Sequence, residues 1–502
     1  MNFETTVTAF KTYLERIRMY QEAMSTLSFD GETVAPTGSV TARAKRAGFF
    51  GLELFNLRIS EEMKGHLDGL APYIADCGDD VLKGEYRDAL KAYEEGTKIP
   101  AEIVRELNEL GEEAAAVWAA ARQENDFDKF APYLSRLVEL QKKVIAYRET
   151  GRETYDVLLD DYEEGMSMAV YDEFFAKLKV ALVPLLEDVR KSKKVIDRSF
   201  VNEPVDLEAQ KKISNLVANA LGFDFERGLI SESTHPFCNG SSKYDVRMTT
   251  RYIEDDFLSS LYSVMHETGH AIYEQEIGDD IAHSVLGGGT SMGIHESQSR
   301  FYENYLGRSL AFWEGIHEEL LELLPEGYQN ITPQQFYEAV NVVESSLIRV
   351  EADELTYNLH IMIRYEIERL LFTEEIDVKD LPAIWNKKYE EYLGITPPND
   401  ALGVLQDVHW SFGLFGYFPT YALGSAYSAQ IVAHMKKDLD IDGLVKEKKY
   451  EVIKAWLGEK IHQYGSIYTP NELMQKSFGE TFDADYYISY LTQKYRSLYE
   501  LD

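Results

Sequence analysis

The stretch at residues 261–276, LYSVMHETGHAIYEQE, places His266, Glu267 and His270 in the spacing H-E-x-x-H. Residues four apart on an α-helix are separated by about 400° of rotation, so both imidazoles leave one face and can share one metal ion. Glu267 lies roughly 100° round from His266, beside such an ion rather than on it, where a general base for the hydrolytic water belongs. Upstream, Phe257, Leu258, Leu261, Val264 and Met265 recur at helical spacings, with neither proline nor glycine before Gly269. That periodicity predicts an amphipathic helix under the motif. The bland alternative is a helix with two core histidines.

Two histidines do not complete a catalytic metal site, which needs three protein ligands and an open position. Beyond His270 the candidates are Glu274, Asp279, Asp280, His283, His295, Glu296 and Glu303. Glu274, one turn along the same helix, lies too far down its axis to join the pair. Glu296 stands near the start of the next helix, which can pack back on the first after the Gly-rich reversal at residues 281–293. It is the predicted third ligand, with Glu303 two turns on as hydrogen-bond partner of a ligand histidine. A His2Glu set suits Zn2+, one per chain, and accepts Co2+ or Mn2+.

Composition bounds the rest. A chain of 502 residues can bury a large core, as two domains or one large helical one. Its 33 glycines, 14 prolines and 27% charged residues suit a soluble, mostly helical protein. A net charge of -35 argues against nucleic acid or an anionic membrane surface as partner. The N-terminus has no apolar h-region, and no apolar run reaches about 18 residues, so neither a signal peptide nor a membrane span is expected. Cys77 and Cys238, far apart, read as free thiols of a cytoplasmic protein.

Helical patterns fill most of the chain, with Phe10, Tyr13, Leu14, Ile17 and Tyr20 on one face of the first and a break at Phe29, Asp30 and Gly31. The acidic run at residues 155–167 lacks the glycine-centred alternation of a calcium loop and reads as a structured connector. Between residues 229 and 252 the character changes. Pro236, Asn239 and Gly240 mark a turn, and Tyr244, Val246, Met248 and Thr250 alternate with polar residues as a short strand does. An exposed edge on that strand would pair with an extended peptide. Gly287, Gly288 and Gly289 lack the strand, helix and lysine of a phosphate loop.

Several motifs in order resemble the M32 metallocarboxypeptidases, the carboxypeptidase Taq type: His235-Pro236-Phe237, Asp245 to Thr249, His266 to His270, His295 to Arg300, Ile348 to Asp353 and Gly403 to Trp410. Weaker similarity extends the resemblance over nearly the whole chain. It implies His266, His270 and Glu296 as zinc ligands and Glu267 as the group that deprotonates the metal's water and passes the proton to the leaving amine. It further implies Arg349, with Arg247 nearby, as the cation for the substrate's terminal carboxylate, since arginine can bind a carboxylate bidentately. The plain alternatives are ion pairs of Arg349 with Asp353 and of Arg247 with Asp245. Oxyanion donors would be His409 and Tyr421, or Tyr417 in its place. His235 would bond the substrate backbone or be a turn histidine, and Asp407 and Trp410 would be scaffold for His409. One departure is Phe29 of Phe29-Asp30-Gly31-Glu32-Thr33, where the family usually has tryptophan.

The expected architecture is mostly α: a large helical metallopeptidase fold with two subdomains flanking a deep cleft and a small β-sheet next to the HExxH helix. One catalytic domain, 1–502, would comprise a helical cleft wall at about 1–225, the zinc and substrate site at about 226–425 and C-terminal helices at about 426–502. The resemblance implies a cytoplasmic homodimer that removes single C-terminal residues from peptides with broad specificity. The rival readings are an HExxH oligoendopeptidase on the same scaffold and a catalytically silent metal-binding protein.

Overall fold

Helices make up most of the structure, a computed structural model that describes residues 2–374 and 376–501. Among the described residues there is one sheet, of three short strands: β1 (Gly228–Glu232), β2 (Cys238–Ser242) and β3 (Asp245–Thr250). The order is β1-β3-β2, with β3 parallel to β1 (Gly228 opposite Val246) and antiparallel to β2 (Cys238 opposite Met248). The strand expected to offer an open edge is therefore the central one. Its alternation has the expected sense, Val246 and Met248 being fully buried, but both of its backbone edges are already paired.

The chain forms two compact units, each assembled from non-contiguous segments. The first comprises Met1–Thr97, Asp197–Val340 and Ile431–Thr481 and contains the sheet. At its centre runs the helix Phe257–Gln275, whose N-cap Asp256 accepts from the Ser259 N–H at 3.1 Å. The buried set includes Phe257, Leu261, Val264, Met265, Thr268, Gly269, Ala271, Ile272, Tyr273 and Gln275, which covers every face. It is a core helix rather than a surface amphipath. One side packs on the sheet through Val264, Ala271, Val246 and Met248, joined by Ala218 and Phe223. Another side meets the helix Met292–Arg300.

The first helix, Phe3–Thr33, buries Phe10, Tyr13, Leu14 and Ile17 as the periodicity predicts, but it does not break at Phe29 to Gly31. A glycine in a helix costs about 1 kcal/mol. Phe29, buried and edge-on to Phe237 at 5.8 Å, ties that segment down through packing that the local signal could not include.

The second unit comprises Lys98–Ile196, Asn341–Gln430 and Phe482–Asp502. Its core is aromatic: Tyr155, Tyr171, Tyr365, Trp385 and Tyr389 are almost wholly buried. The acidic run after Tyr155 is in part helical, Thr154–Tyr162, and its carboxylates do local work. Asp156 accepts from the Met168 N–H and Asp160 from the Gly165 N–H, while Asp161 pairs with Arg148. Among the described residues no helix is long and apolar enough to cross a membrane.

Candidate active site

The two histidines of the H-E-x-x-H turn point their Nε2 atoms at the same oxygen. Glu296 Oε2 lies 3.5 Å from His266 Nε2 and 3.5 Å from His270 Nε2. Metal bonds of about 2.1 Å at tetrahedral angles put neighbouring donors about 3.4 Å apart. The donor spacing therefore fits a single divalent cation, and these three residues form the candidate metal cluster among the described residues.

What sets that spacing is Gly269. A Cβ there would lie 2.5 Å from the Gln298 carbonyl oxygen and 2.6 Å from Ser299 Cα, both backbone of the helix that carries Glu296. Only the missing side chain lets the two helices approach this closely.

Each of these three side chains is held from behind. His266 Nδ1 donates to Glu303 Oε2 at 2.8 Å, the partnership expected for Glu303. Arg300 donates to Glu296 Oε1 at 2.7 Å and to Glu303 Oε2 at 3.1 Å, and Ser299 Oγ donates to Glu296 Oε2 at 3.0 Å. Glu303 sits in a π-helical turn, Phe301–Leu306, that directly continues the Glu296 helix. Such turns recur at functional sites. His270 Nδ1 faces His295 Nδ1 at 2.6 Å, and His295 Nε2 reaches Glu274 Oε1 at 2.7 Å.

The electrostatics follow from burial and these partners. Burial pushes the His270 imidazole down to about 4, which leaves it neutral, the form a metal ligand needs. Burial opposes protonation of His266 too, but the Glu296 and Glu303 carboxylates outweigh it and lift His266 to about 9. Glu303 is held at about 2: burial raises it, and Arg300 and His266 more than reverse that. Burial raises Glu267 to about 7. Glu267 is 6% exposed and, among the described residues, has no hydrogen-bond or ion-pair partner, unlike Glu274, Glu296 and Glu303.

In the second unit three other expected residues come together. Arg349 packs its guanidinium 5.1 Å from the Tyr421 ring, and Tyr421 Oη lies 3.3 Å from His409 Nε2. His409 is buried enough to be pushed down to about 4, so it is a neutral imidazole, and its buried Nδ1 has no hydrogen-bond partner among the described residues. Tyr417 packs edge-on to Tyr421 at 5.3 Å without displacing it from His409.

Arg349 does not pair with Asp353, which instead caps the helix Glu354–Thr373 by accepting from the Leu355 and Thr356 N–H groups. Its partner is Asp407, reached through Nε at 3.0 Å and a terminal nitrogen at 2.8 Å, while another nitrogen donates to Tyr357 Oη at 3.1 Å. Asp407 also accepts from Arg364, a fully buried arginine that sequence reasoning missed. Burial alone would raise Asp407, but Arg364 and Arg349 hold it well below the usual carboxylate range. Asp407 and Trp410 are thus not hydrogen-bonded supports of His409, for Trp410 Nε1 donates to Glu368 at 2.7 Å.

Two expected residues stay outside these clusters. Arg247 gives Nε and one terminal nitrogen, one edge of its guanidinium, to Asp245 at 2.7 Å each, with the guanidinium 5.3 Å from the Phe29 ring. That is the plain ion pair weighed for it, and it places Phe29 against the guanidinium. His235 is exposed in the turn between β1 and β2.

Comparison with known proteins agrees with this geometry. Residues 9–495 match the family described as Carboxypeptidase Taq (M32) metallopeptidase. The chain belongs to that family. Carboxypeptidase 1 of Bacillus subtilis is 42% identical over 502 residues, covering 100% of both chains. The solved Pyrococcus furiosus carboxypeptidase aligns with a TM-score of 0.95 at 36% identity, over 99% of each chain. The M32 carboxypeptidase of Deinococcus radiodurans aligns with a TM-score of 0.94 at 33% identity, over 99% of this chain and 100% of that one. With its His-Glu-His cluster, the chain is an M32 metallocarboxypeptidase.

The site residues that sequence reasoning passed over had faint signals. The sequence marks His295 as a candidate ligand, although its place immediately before Glu296 puts it at a different angle on the same helix. Arg364 had no motif of its own, and only its complete burial marks it.

Proposed function

We propose that the enzyme removes single residues from the free C-termini of peptides, with broad preference for the residue removed. The observation that carries the metal-dependent part is the pair of 3.5 Å separations converging on Glu296 Oε2. His266, His270 and Glu296 would hold one divalent cation, Zn2+ by preference, with Co2+ and Mn2+ suited to the same donors. When bound, that cation supplies Lewis acidity, acidifying water and polarising a carbonyl.

The chain's own groups supply the rest. Glu267, buried and unpartnered, is placed to take a proton from water and return it to the leaving amine. Arg349 is the proposed partner of the substrate's terminal carboxylate. Of its five N–H donors, three are given to Asp407 and Tyr357, which leaves two. Arg349 and Arg364 together carry two positive charges against the one negative charge of Asp407, so the buried cluster has a surplus of one that an incoming carboxylate would neutralise. Tyr421 is the proposed donor to the developing oxyanion, with neutral His409 fixing the orientation of its hydroxyl. Because the recognised features are the peptide backbone and its terminal carboxylate, preference among side chains is broad. The family resemblance further implies a homodimer, which light scattering of the purified protein checks.

Mass spectrometry of peptides incubated with the enzyme tests the proposal. Sequential loss from free C-termini, absent with C-terminally amidated peptides, abolished by chelation and restored by Zn2+, is expected. Internal cleavage, or equal attack on amidated peptides, would overturn it in favour of an endopeptidase.

A further inference from the structure

The two metal-facing histidines are backed differently. His266 meets a carboxylate directly, whereas His270 meets the neutral-capable ring of His295, with Glu274 one step further out. Proton positions along this second chain follow from donor and acceptor counting. An ionised carboxylate only accepts, so the contact of 2.7 Å with Glu274 Oε1 requires the proton on His295 Nε2. With its Nε2 proton given to Glu274, the His295 ring offers Nδ1 as an acceptor, and the 2.6 Å contact between the two Nδ1 atoms is matched by a proton on His270 Nδ1. His270 Nε2 is left with its lone pair aimed at the side occupied by Glu296 Oε2.

The surroundings are shaped to hold this chain. The Gly289 N–H donates to Glu274 Oε1 at 3.1 Å, the same oxygen that His295 uses. A Cβ at Gly289 would lie 2.5 Å from His295 Cδ2 and one at Gly240 would lie 3.0 Å from Glu274 Cγ. Both glycines thus admit the two side chains at van der Waals range. The His295 ring also packs on Tyr273 at 5.1 Å between centroids.

We propose that Glu274 and His295 are positioning residues that lock His270 in the one tautomer able to bind the metal through Nε2. Swapping the tautomer of His295 would present an N–H to His270 Nδ1 and drive the His270 proton onto the ligating nitrogen. The Gly-rich reversal is, on this account, the backbone cradle of the Glu274 and His295 pair. The inference rests on the metal reading above.

The test measures Zn2+ affinity by chelator competition on the full-length enzyme, alongside thermal unfolding of the metal-free protein. His295→Ala and His295→Gln, which lack an acceptor at the Nδ1 position, should bind Zn2+ about 10- to 100-fold more weakly. His295→Asn, whose amide oxygen can stand where Nδ1 stood, should recover affinity to within about threefold of wild type, while all variants keep the metal-free melting temperature. Glu274→Met keeps comparable bulk and removes the acceptor for His295 Nε2. It decides the matter if the His295 variants do not fold, with an expected loss of about fivefold or more, whereas Glu274→Gln, whose amide oxygen can still accept, should stay near wild type. Wild-type affinity in His295→Ala and Glu274→Met, or a His295→Asn no better than His295→Ala, overturns the inference while leaving the metal site standing. A wild-type enzyme that binds no Zn2+ through His266 and His270 overturns the metal reading itself.

Discussion

Replacing Gly269 by alanine introduces a methyl group where the backbone of the Glu296 helix already lies. Its Cβ would sit 2.5 Å from the Gln298 carbonyl oxygen, 2.6 Å from Ser299 Cα and 2.8 Å from the Gln298 carbonyl carbon, where ordinary contact begins at 3.4 Å. Relief requires the helices to part by about 0.9 Å, the difference between 3.4 and 2.5 Å. Alanine returns about 1 kcal/mol of helix propensity, and overpacking costs about 1–3 kcal/mol, so the net loss of stability is at most about 2 kcal/mol. The effect on the metal is larger. Ligand distances must hold within about 0.2 Å, and a displacement several times that size at the Glu296 backbone removes Oε2 from its place opposite both imidazoles. Zn2+ affinity should fall by about 100-fold or more, beyond what losing a supporting hydrogen bond costs. Chelator competition reads the affinity and thermal melting of the metal-free protein reads the stability. Wild-type values in both would refute the claim that this glycine sets the ligand spacing.

Three further perturbations separate the roles assigned above. Glu267→Gln should retain one Zn2+ per chain by elemental analysis while kcat falls by about 10²- to 10⁴-fold, the range for loss of a general base. Arg349→Lys keeps the charge but not the fork that spans Asp407 and Tyr357. It should lower kcat/KM on free C-terminal peptides by about 10- to 100-fold, and an unchanged kcat/KM would remove Arg349 from carboxylate binding. Burial raises Glu368 from 4.5 to about 7, against the donors from Gly416, Trp410 and Tyr155. A carboxyl whose folded pKa is raised contributes stability that is full below about 4.5 and is lost as the pH rises through about 7. The stability advantage of wild type over Glu368→Gln, from urea unfolding, should therefore shrink between pH 5 and pH 8; an advantage that grows would contradict this sign.

The metal cluster was legible because its information is nearly one-dimensional. His266, Glu267 and His270 lie on one helix with fixed angles, and Glu296 lies near the start of the next, after a Gly-rich reversal that lets it pack back. Glu303 followed from the need of a ligand imidazole for an outer partner. What the sequence hid depends on contacts distant along the chain. The partner of Arg349 is Asp407, not the Asp353 suggested by helical spacing, because Asp353 is occupied as a cap. The parallel pairing of β1 makes β3 central, and no alternation pattern within β3 records which neighbours it has. Phe29 overrides the break at Gly31 by packing on Phe237. His295 was visible as a histidine, but its role is written in the glycines that make room for it.

The π-helical turn at Phe301–Leu306 makes the support of His266 a matter of counting residues. Glu296 precedes the turn and Glu303 lies within it, so the register change begins between the ligand and the carboxylate behind His266. Excising one residue between them would swing everything downstream by about 100° about the helix axis. The carboxylate would leave His266 although every side chain at the metal kept its identity. A single-codon deletion there is thus a route to a weaker metal site that no comparison of ligand residues would detect.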